Sequence, residues 1–386
     1  MPAQDSSVAL TQALVRIPSE NPPTSESAVG AFVAHWLSGE SRIVVERHEV
    51  QPDRANVIAR LAATGGAPPF AILAHMDTVP VGTGWTHDPF GGEISDGKLF
   101  GRGSCDMKAG LAVGMSLLAR FARSGRVPKR EIVLCATVDE EGSHMIGGND
   151  LIDRGVLDKD SLVVATEPTG LDVIVCHKGL VWMQVEVFGK LAHAGNPQVG
   201  VDAVRAAAEF ITRLHRSVDG LSHRHETLGK ASVTFSHASG GIKTNVVPAY
   251  ARLELDIRLP PPMSIEDVHL MVKTCAAEAQ ALVTGSSFAF NQMNNDRPPV
   301  EADRSAELVS RMVEATREVT GRSDVVNGFP AYTDASVLQA RTGNRTALVF
   351  GPGHLLQAHT VDEYVPVIQI EQAEAILERA IERLCF

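Results

Sequence analysis

The sequence predicts an α/β fold in which a smaller α+β domain is inserted into a larger domain with a mostly parallel mixed sheet flanked by helices. Strand-like and helix-like segments alternate in the first half of the chain, the pattern changes near residue 179, and the first pattern resumes near residue 303. A chain of 386 residues also exceeds what one core usually contains. We therefore expect a discontinuous domain of residues 1–178 and 293–386 and an inserted domain of residues 179–292.

The first half of the chain supplies the helices and strands of the larger domain. Apolar residues recur at helical spacing in SSVALTQALVRI and in MKAGLAVGMSLLARFARSG. Short, continuously apolar runs such as FAILAHMD, REIVLCATVDEE and SLVVATEP instead predict strands that are covered on both faces. Such strands, alternating with helices, are typical of an α/β sheet.

The inserted segment has another pattern. The stretches LVWMQVEVFGKLAH and ARLELDIRLPP alternate apolar and polar residues, as half-exposed antiparallel strands do. Helical periodicity is present in GVDAVRAAAEFITRLHRSV and in SIEDVHLMVKTCAAEAQAL. The resulting order of strand, helix, strand, strand, helix, strand predicts a split-βαβ domain.

The composition argues against several partners and environments. With 46 acidic and 35 basic residues the net charge is -11, and no basic stripe is present, so we do not expect nucleic acid binding. The 5 cysteines are scattered and form no CxxC pair, which favours reduced thiols over disulfides or a cysteine-rich zinc site. No signal-like pattern begins the sequence, and no apolar stretch reaches membrane-spanning length. We therefore predict a cytoplasmic protein that does not enter membranes.

Polar side chains with ligand chemistry follow several predicted strands. His75 and Asp77 close the run LAHMD, and residues two apart on an extended chain point the same way, so Asp77 is placed to hold the imidazole of His75. Ligands of open α/β sheets bind outside the carboxyl ends of the strands, so polar groups there should converge. The further candidates are Asp106 after a glycine-rich turn, Glu140, Glu141, Glu167 and His359.

These side chains suit two divalent cations. Three carboxylates, Asp106, Glu141 and Glu167, together with a bridging hydroxide supply the negative charge that balances two such ions. His75 and His359 add neutral nitrogen ligands, and Asp106 is the candidate to lie between the ions. Nitrogen and oxygen ligands suit zinc, with cobalt or manganese as alternatives.

Glu140 is the candidate general base. On an extended chain Glu140 and Glu141 face opposite ways, so Glu141 can bind metal while Glu140 takes a proton from water and passes it to the leaving amine.

Two motifs that would indicate a different function are incomplete or absent. GRGSCD begins like a dinucleotide-binding fingerprint, but Asp106 replaces the third glycine and would repel a pyrophosphate. The GxSxG motif of many serine hydrolases is absent from the sequence.

Five motifs, in order, resemble those of one family of enzymes: HMDTVP, GRGSCDMKAG, DEEG, ATEP and GPGHLLQAHTVDEYV. This is the di-zinc aminoacylase and carboxypeptidase family, which includes acetylornithine deacetylase and succinyl-diaminopimelate desuccinylase. The resemblance covers nearly the whole chain. The ordered set of motifs is specific for the family and much less specific for the substrate.

The resemblance implies a role for each candidate side chain. One metal would be held by His75, Asp106 and Glu167, and the other by Asp106, Glu141 and His359. Glu140 would be the general base, and Asp77 would support His75. A cis peptide bond between Asp106 and Met107 is also implied.

The inserted segment resembles the dimerisation and lid domain of the same family. In GKLAHAGNPQVGVDAV, His193 would reach into the active site of the partner subunit and polarise the scissile carbonyl. Asn245 and Arg258 occupy positions where relatives bind the substrate, and Arg258 would bind a carboxylate through two N–H groups. We therefore expect a homodimer that forms through residues 179–292.

The implied activity is hydrolysis of the amide bond of an N-acyl amino acid, as in acetylornithine deacetylase, by a hydroxide that bridges two zinc ions. A dipeptidase, a carboxypeptidase or a succinyl-diaminopimelate desuccinylase of the same family is the alternative. The bulky residues Tyr332 and Thr333, where desuccinylases tend to have a Gly/Ser-rich stretch, weaken the last of these. A catalytically inactive binding protein on the same fold is a remote alternative, because every expected ligand position carries a competent side chain.

Overall fold

The computed structural model describes residues 6–142 and 144–386, which form two compact units. Unit 1 contains the described residues up to Cys176 together with Glu301–Phe329 and Thr333–Phe386, and unit 2 contains His177–Val300 and Pro330–Tyr332. The expected insertion, residues 179–292, is therefore shorter than unit 2 at both ends and lacks its second segment. The expectation of no N-terminal signal concerns in part residues 1–5, which lie outside the described residues.

The helices, in chain order, are α1 (Ser7–Val15), α2 (Ser27–Ser38), α3 (Ala109–Arg123), α4 (Ile146–Asp153), α5 (Ala203–Asp219), α6 (Ile265–Leu282), α7 (Glu307–Thr320), α8 (Asp334–Thr342) and α9 (Val367–Cys385). The helices predicted above correspond to α1, α3, α5 and α6. Within the described part of the chain, none of the helices has the length and apolar character needed to cross a membrane.

The strands, in chain order, are β1 (Ile43–Gln51), β2 (Arg54–Leu61), β3 (Ala67–His75), β4 (Ile94–Ser95), β5 (Lys98–Phe100), β6 (Arg130–Thr137), β7 (Leu162–Ala165), β8 (Val173–His177), β9 (Gly179–Phe188), β10 (Ala192–His193), β11 (Ser232–Gly240), β12 (Val246–Val247), β13 (Tyr250–Leu259), β14 (Ser287–Gln292), β15 (Val300–Glu301), β16 (Val326–Phe329), β17 (Leu348–Val349) and β18 (Tyr364–Pro366). The predicted strands of the first half correspond to β3, β6 and β7.

Seven consecutive strands of the large sheet run in the order β1-β2-β6-β3-β7-β17-β8, and β16 also pairs with β8. The central strands β6, β3, β7 and β17 are parallel, whereas β1, β2 and β8 pair antiparallel with their neighbours. Residues 70–75 of β3 and 132–137 of β6 are all buried, as their continuously apolar sequences predict. The predicted α/β class is confirmed.

The strand register brings the carboxyl ends of the central strands to one edge of the sheet. His75, the last residue of β3, lies opposite Thr137, the last residue of β6, and the parallel neighbour β7 ends at Ala165. Helix α3 packs closely against this edge. A Cβ added to Gly110 would lie 2.2 Å from the backbone oxygen of Thr166, so this approach requires glycine.

Unit 2 contains an antiparallel sheet in the order β11-β13-β9-β14. Helices α5 and α6 share its apolar core, to which they contribute Phe210, Leu214, Val268 and Val272. The chain order of β9, α5, β11, β13, α6 and β14 is the order predicted from sequence, with the short pair of β10 and β12 added.

Candidate functional site

His75 lies at the carboxyl edge of the large sheet, and its side chain is buried. Its Nε2 is 3.0 Å from Oδ1 of Asp106, and its Nδ1 is 2.9 Å from the backbone oxygen of Asp77. The Asp77 carboxylate is more distant, with Oδ1 at 3.5 Å from Nδ1. The carbonyl of Asp77 is thus the nearest support of the ring, whereas the residue spacing predicted the carboxylate. Either contact directs Nε2 toward Asp106.

The Asp77 carboxylate instead holds the segment that follows β6. Its Oδ1 accepts the backbone N–H of Glu140 at 3.2 Å, and its Oδ2 accepts that of Glu141 at 3.1 Å. Nδ2 of Asn21 also donates to Oδ2, at 2.9 Å. Bonds to an ionised acceptor are among the stronger hydrogen bonds of proteins. Asp77 therefore connects His75 to both adjacent glutamates.

Glu140 and Glu141 follow a bend at Asp139, where φ is 64°. The prediction that the two glutamates face opposite ways assumed an extended chain, and it is wrong because this bend turns both carboxylates toward the same cluster. Oε2 of Glu140 is 4.0 Å from Nε2 of His75. Oε1 of Glu141 is 2.9 Å from Nε2 of His359.

Asp106 lies between the two histidines. It is part of a tight turn over Ser104–Lys108 before α3, and its peptide bond to Met107 is cis, as the resemblance implies. Its Oδ1 is 3.0 Å from Nε2 of His75, and its Oδ2 is 3.5 Å from Nε2 of His359. The two oxygens of one carboxylate thus face two different imidazoles, as a shared ligand requires.

Glu167 and His359 complete the cluster and differ in burial. Glu167 follows β7, is 5% exposed, and places Oε2 at 3.8 Å from Nε2 of His75. His359 has a left-handed backbone with φ of 62°, which is uncommon for a residue with a Cβ atom. The side chain of His359 is 50% exposed. One end of the cluster is therefore enclosed and the other is open.

The candidate ligands form two groups of three, in each of which ligand atoms lie within 4.8 Å of one another. The buried triad is His75, Asp106 and Glu167, and the open triad is Asp106, Glu141 and His359. These are the two sets that the resemblance implies, with Asp106 in both. Imidazole nitrogens and carboxylate oxygens are donors that zinc prefers. The metal itself stays a prediction.

Burial and mutual repulsion raise the pKa of the carboxyl groups. Burial, with the charge of Asp106 adding to it, raises the pKa of Glu167 to about 7. Burial and the charge of Glu167 raise the pKa of Glu140 well above its ordinary value, and burial and Asp106 raise that of Glu141. A divalent cation among these groups would offset the repulsion and keep them ionised. The electrostatics of the residues therefore fit a metal site.

The imidazoles are held in their charged form by the same acids. Burial lowers the pKa of His75, but the charge of Glu167 and hydrogen bonds to its neighbours outweigh burial and place that pKa well above the ordinary value. Hydrogen bonds to Asp106 and Glu141 raise the pKa of His359 to about 10. Metal ligation requires a neutral imidazole, so a metal would displace protons from both rings.

Sequence reasoning did not identify Asn21 as part of the site. Its Nδ2 donates to Asp77 and to Oδ1 of Asp139, both at 2.9 Å. Asp139 also pairs with Arg54 at 3.1 Å, and Arg54 pairs with the buried Glu26. The stretch SENPP contains no ligand pattern, and no spacing rule relates Asn21 to an aspartate 56 residues later. Only the folded chain brings this network together.

The predicted substrate-binding residues lie in unit 2. His193 belongs to β10, which pairs with β12, and the backbone N–H of Ala194 donates to the oxygen of Asn245 at 3.0 Å. Arg258 of β13 donates to both oxygens of Asp256, from Nε at 2.7 Å and from Nη2 at 2.8 Å. Unit 2 therefore brings the His193 and Asn245 segments together. The roles of these residues toward a substrate stay predictions.

Known proteins resemble this chain over most of its length. A family model described as Peptidase family M20/M25/M40 matches residues 71–383. A protein named probable succinyl-diaminopimelate desuccinylase, from Staphylococcus epidermidis, is 29% identical over 393 aligned positions that cover 94% of each chain. The acetylornithine deacetylase of Salmonella paratyphi B is 29% identical over 393 aligned positions that cover 98% of each chain.

Solved structures share the fold. A tripeptidase from Staphylococcus aureus superposes with a TM-score of 0.81 at 21% identity, over 99% of this chain and 98% of that one. A Bacillus subtilis protein described as a dinuclear metal binding peptidase from the M20 family superposes with a TM-score of 0.74 at 17% identity, over 98% of this chain and 97% of that one. Residues 71–383, which the family model matches, include both triads. The chain belongs to Peptidase family M20/M25/M40 and is a hydrolytic enzyme that acts on amide bonds.

Proposed function

We propose that this enzyme cleaves the amide bond between an acyl group and an amino acid, with two zinc ions bound in the buried and open triads. The observation that carries the proposal is the sharing of Asp106 between two otherwise separate ligand sets. A two-metal hydrolase needs a group between its ions, whereas an ordinary ion-pair cluster has no such requirement. Glu140 belongs to neither set, which leaves one carboxylate free for proton transfer.

The two sets divide the metal binding between them. One ion would be held by His75, Asp106 and Glu167, and the other by Asp106, Glu141 and His359. Bound divalent cations supply Lewis acidity at the scissile carbonyl and lower the pKa of water. Cobalt and manganese also accept this combination of nitrogen and oxygen donors. The dinuclear description of the Bacillus subtilis structure supports two ions.

Glu140 moves the proton in the proposed reaction. Its Oε2 lies 4.0 Å from Nε2 of His75, and Asp77 accepts its backbone N–H. The carboxyl is buried, and burial raises the pKa of Glu140, which makes the carboxylate a stronger base than an exposed glutamate. Glu140 would take a proton from the attacking water at Oε2 and deliver it to the leaving nitrogen.

Unit 2 would bind the rest of the substrate. Arg258 would bind a substrate carboxylate in exchange for bonds that it now makes, since Nε and Nη2 donate to Asp256 and Nη1 donates to the backbone oxygen of Pro330 at 3.4 Å. Asn245 would bind the substrate beside it. These roles are carried over from the resemblance, and the pairing of the His193 and Asn245 segments is the structural feature that supports them.

His193 would polarise the scissile carbonyl in the active site of a partner subunit, which requires a homodimer that forms through residues 179–292. The sheet of unit 2 supports this arrangement, because β11 is an edge strand with mostly exposed side chains. Light scattering should give the mass of a dimer. A His193→Ala dimer should regain part of its activity when subunits are exchanged with a Glu140→Gln dimer. A fully active monomer would refute the role of His193.

The acyl group is proposed to be acetyl, with succinyl as the second candidate. Relatives with these two names are equally similar to this chain, at 29% identity each. Tyr332 and Thr333 are both buried, and they replace smaller residues expected of a desuccinylase. A dipeptidase or carboxypeptidase reaction cleaves the same kind of bond and is the remaining alternative.

The substrate proposal is tested with N-acetyl, N-succinyl and aminoacyl derivatives of the same set of amino acids. We expect zinc- or cobalt-loaded protein to show its highest kcat/KM with the N-acetyl series. A higher value for the aminoacyl series would instead identify a peptidase. Protein that binds metal and cleaves none of the three series would support a binding role.

The proton-transfer proposal is tested by Glu140→Gln. Loss of a general base lowers kcat by roughly 10²- to 10⁴-fold, and the metal content should not change because Glu140 is in neither triad. Glu131→Gln is the matched control, since Glu131 lies on β6 and pairs with Arg60 at 2.9 Å, away from the ligands. Equal activity of the Glu140→Gln and Glu131→Gln proteins would exclude Glu140 as the base.

A further inference from the structure

Glu363 is a buried acid that the proposed reaction does not use. Glu363 lies in the segment that follows His359 and is 0% exposed to solvent. A fully buried carboxylate is costly unless charged and polar partners surround it. Its partners therefore indicate what the position does.

Glu363 contacts the segment that leads to Asp106. Its Oε1 accepts the backbone N–H of Cys105 at 2.9 Å and that of Asp106 at 3.1 Å. Its Oε2 pairs with Nη1 of Arg102 at 2.5 Å. The backbone oxygen of Glu363 accepts two further bonds, from the N–H of Gly101 at 2.9 Å and from Oγ of Ser104 at 3.4 Å.

These bonds join two of the three segments that carry candidate ligands of the open triad, those of Asp106 and His359. The backbone of Asp106 is held directly by a residue that follows His359 by four positions. The carboxylate of Asp106 faces both His75 and His359. A change in its orientation would therefore alter the ligand distances in both triads. Residues that support a ligand rather than touch a metal commonly set metal affinity in this way.

We infer that Glu363 is a positioning residue that fixes the shared ligand Asp106 for both metal ions. The inference rests on the proposed two-metal function and adds a role for a residue outside the ligand set. A group that supported one ligand of one triad would affect one ion. Glu363 should affect both, because the ligand that it positions is common to them.

The test is metal titration of Glu363→Gln with zinc or cobalt against a chromophoric chelator. Glutamine keeps the size of the side chain but leaves a single oxygen for three donors. We expect the Kd of both ions to rise, each by roughly 10- to 100-fold. Glu363→Asp keeps the negative charge and is the milder variant. It should also raise both Kd values, and it replaces Glu363→Gln in the titration if that variant does not fold.

Glu374 provides the matched control. It is another buried glutamate of unit 1, which accepts from Ser7 at 2.9 Å, from Ser116 at 2.6 Å and from Arg120 at 2.5 Å, and none of these residues carries a predicted ligand. Glu374→Gln should lower the melting temperature without changing either Kd. The readout therefore separates positioning from a general loss of stability.

The outcomes distinguish this inference from the proposed function. Unchanged Kd values in folded Glu363→Gln, or a change at one ion only, would overturn the role of Glu363 while leaving the two-metal site in place. Wild-type protein that binds no zinc or cobalt would overturn the two-metal function itself, and the inference with it.

Discussion

The two triads share a carboxylate and yet differ in their surroundings. In the buried triad, His75 is 2% exposed and Glu167 is 5% exposed, and the ring of His75 is held from behind by Asp77. In the open triad, the side chain of His359 is 50% exposed and its backbone φ is 62°. Imidazole and carboxylate donors are thus buried in one triad and partly exposed to solvent in the other.

If the two triads bind metal as proposed, this difference predicts that their two ions bind with unequal affinity. A ligand that is already held in place loses little conformational entropy when a metal binds, and burial excludes competing water. The buried triad should therefore bind its ion more tightly. The open triad should exchange its ion more readily, because solvent and chelators reach His359 directly.

The largest expected effect comes from removing one histidine at a time. His75→Ala should abolish tight binding at the buried triad, and His359→Ala should reduce the metal content to one ion while leaving the tighter Kd within a few-fold. Both variants should lose more activity than the roughly 10- to 100-fold typical of a supporting residue. Metal analysis after gel filtration and kcat with the best substrate give the two readouts. Loss of the tighter ion in His359→Ala would reverse the assignment.

A smaller effect is expected from the network behind His75. In Asn21→Asp a third carboxylate would face Asp77 and Asp139, whose oxygens now accept from Nδ2 at 2.9 Å. The unmet acceptors and added repulsion should lower the free energy of unfolding by about 1–3 kcal/mol. Asn327→Asp is the control, because the exposed Asn327 donates to Asp172 at 3.3 Å, and exposed changes usually alter stability by about 0.5 kcal/mol or less. Chemical denaturation at neutral pH measures the free energy of unfolding of both variants. Equal losses would show that the contacts of Asn21 contribute no more to stability than those of an exposed asparagine.

The smallest expected effect is a pH dependence of the metal-free protein, to which Glu167 of the buried triad contributes. The pKa of Glu167 is about 7 in the folded protein against an ordinary value of 4.5, so without metal the folded state holds a proton that the unfolded state releases. The stability from this group is full below about pH 4.5 and is lost as the pH rises through about 7. The raised pKa values of His75 and His359 act in the same direction above about pH 6.5.

Bound zinc should remove this dependence, because a ligating carboxylate is ionised. The difference in melting temperature between zinc-loaded and chelator-treated protein should therefore grow from about pH 5.5 to about pH 7.5. This increase in the melting-temperature difference should be smaller in Glu167→Gln and should persist in His359→Ala. A difference that stays constant or shrinks over this range would contradict the link to Glu167.

The convergence of the residues of the two triads could be predicted from sequence, because each lies at or after a recognisable strand, turn or motif. His75 ends one continuously apolar strand and Glu167 follows another, and parallel strands place such ends at one edge of the sheet. The supports of the ligands could not be predicted. The contacts of Asn21 with Asp77 and of Glu363 with Asp106 span 56 and 257 residues, and no local propensity encodes them.

The orientation of adjacent residues was the other limit of the sequence. Glu140 and Glu141 were expected on opposite faces because the strand was assumed to continue, but β6 ends at Thr137 and Asp139 has a positive φ. A positive φ at a residue other than glycine has only weak sequence preferences. The sequence therefore indicated that both glutamates belong to the site, whereas the directions of their side chains depend on the bend at Asp139.

The most direct test of the account is titration of metal-depleted protein with zinc, followed by calorimetry or chelator competition. The account predicts two equivalents per chain with different affinities, of which His359→Ala removes the weaker and Asp106→Asn impairs both. A single equivalent, or two equivalents that Asp106→Asn leaves unchanged, would contradict the claim that one carboxylate joins two metal sites.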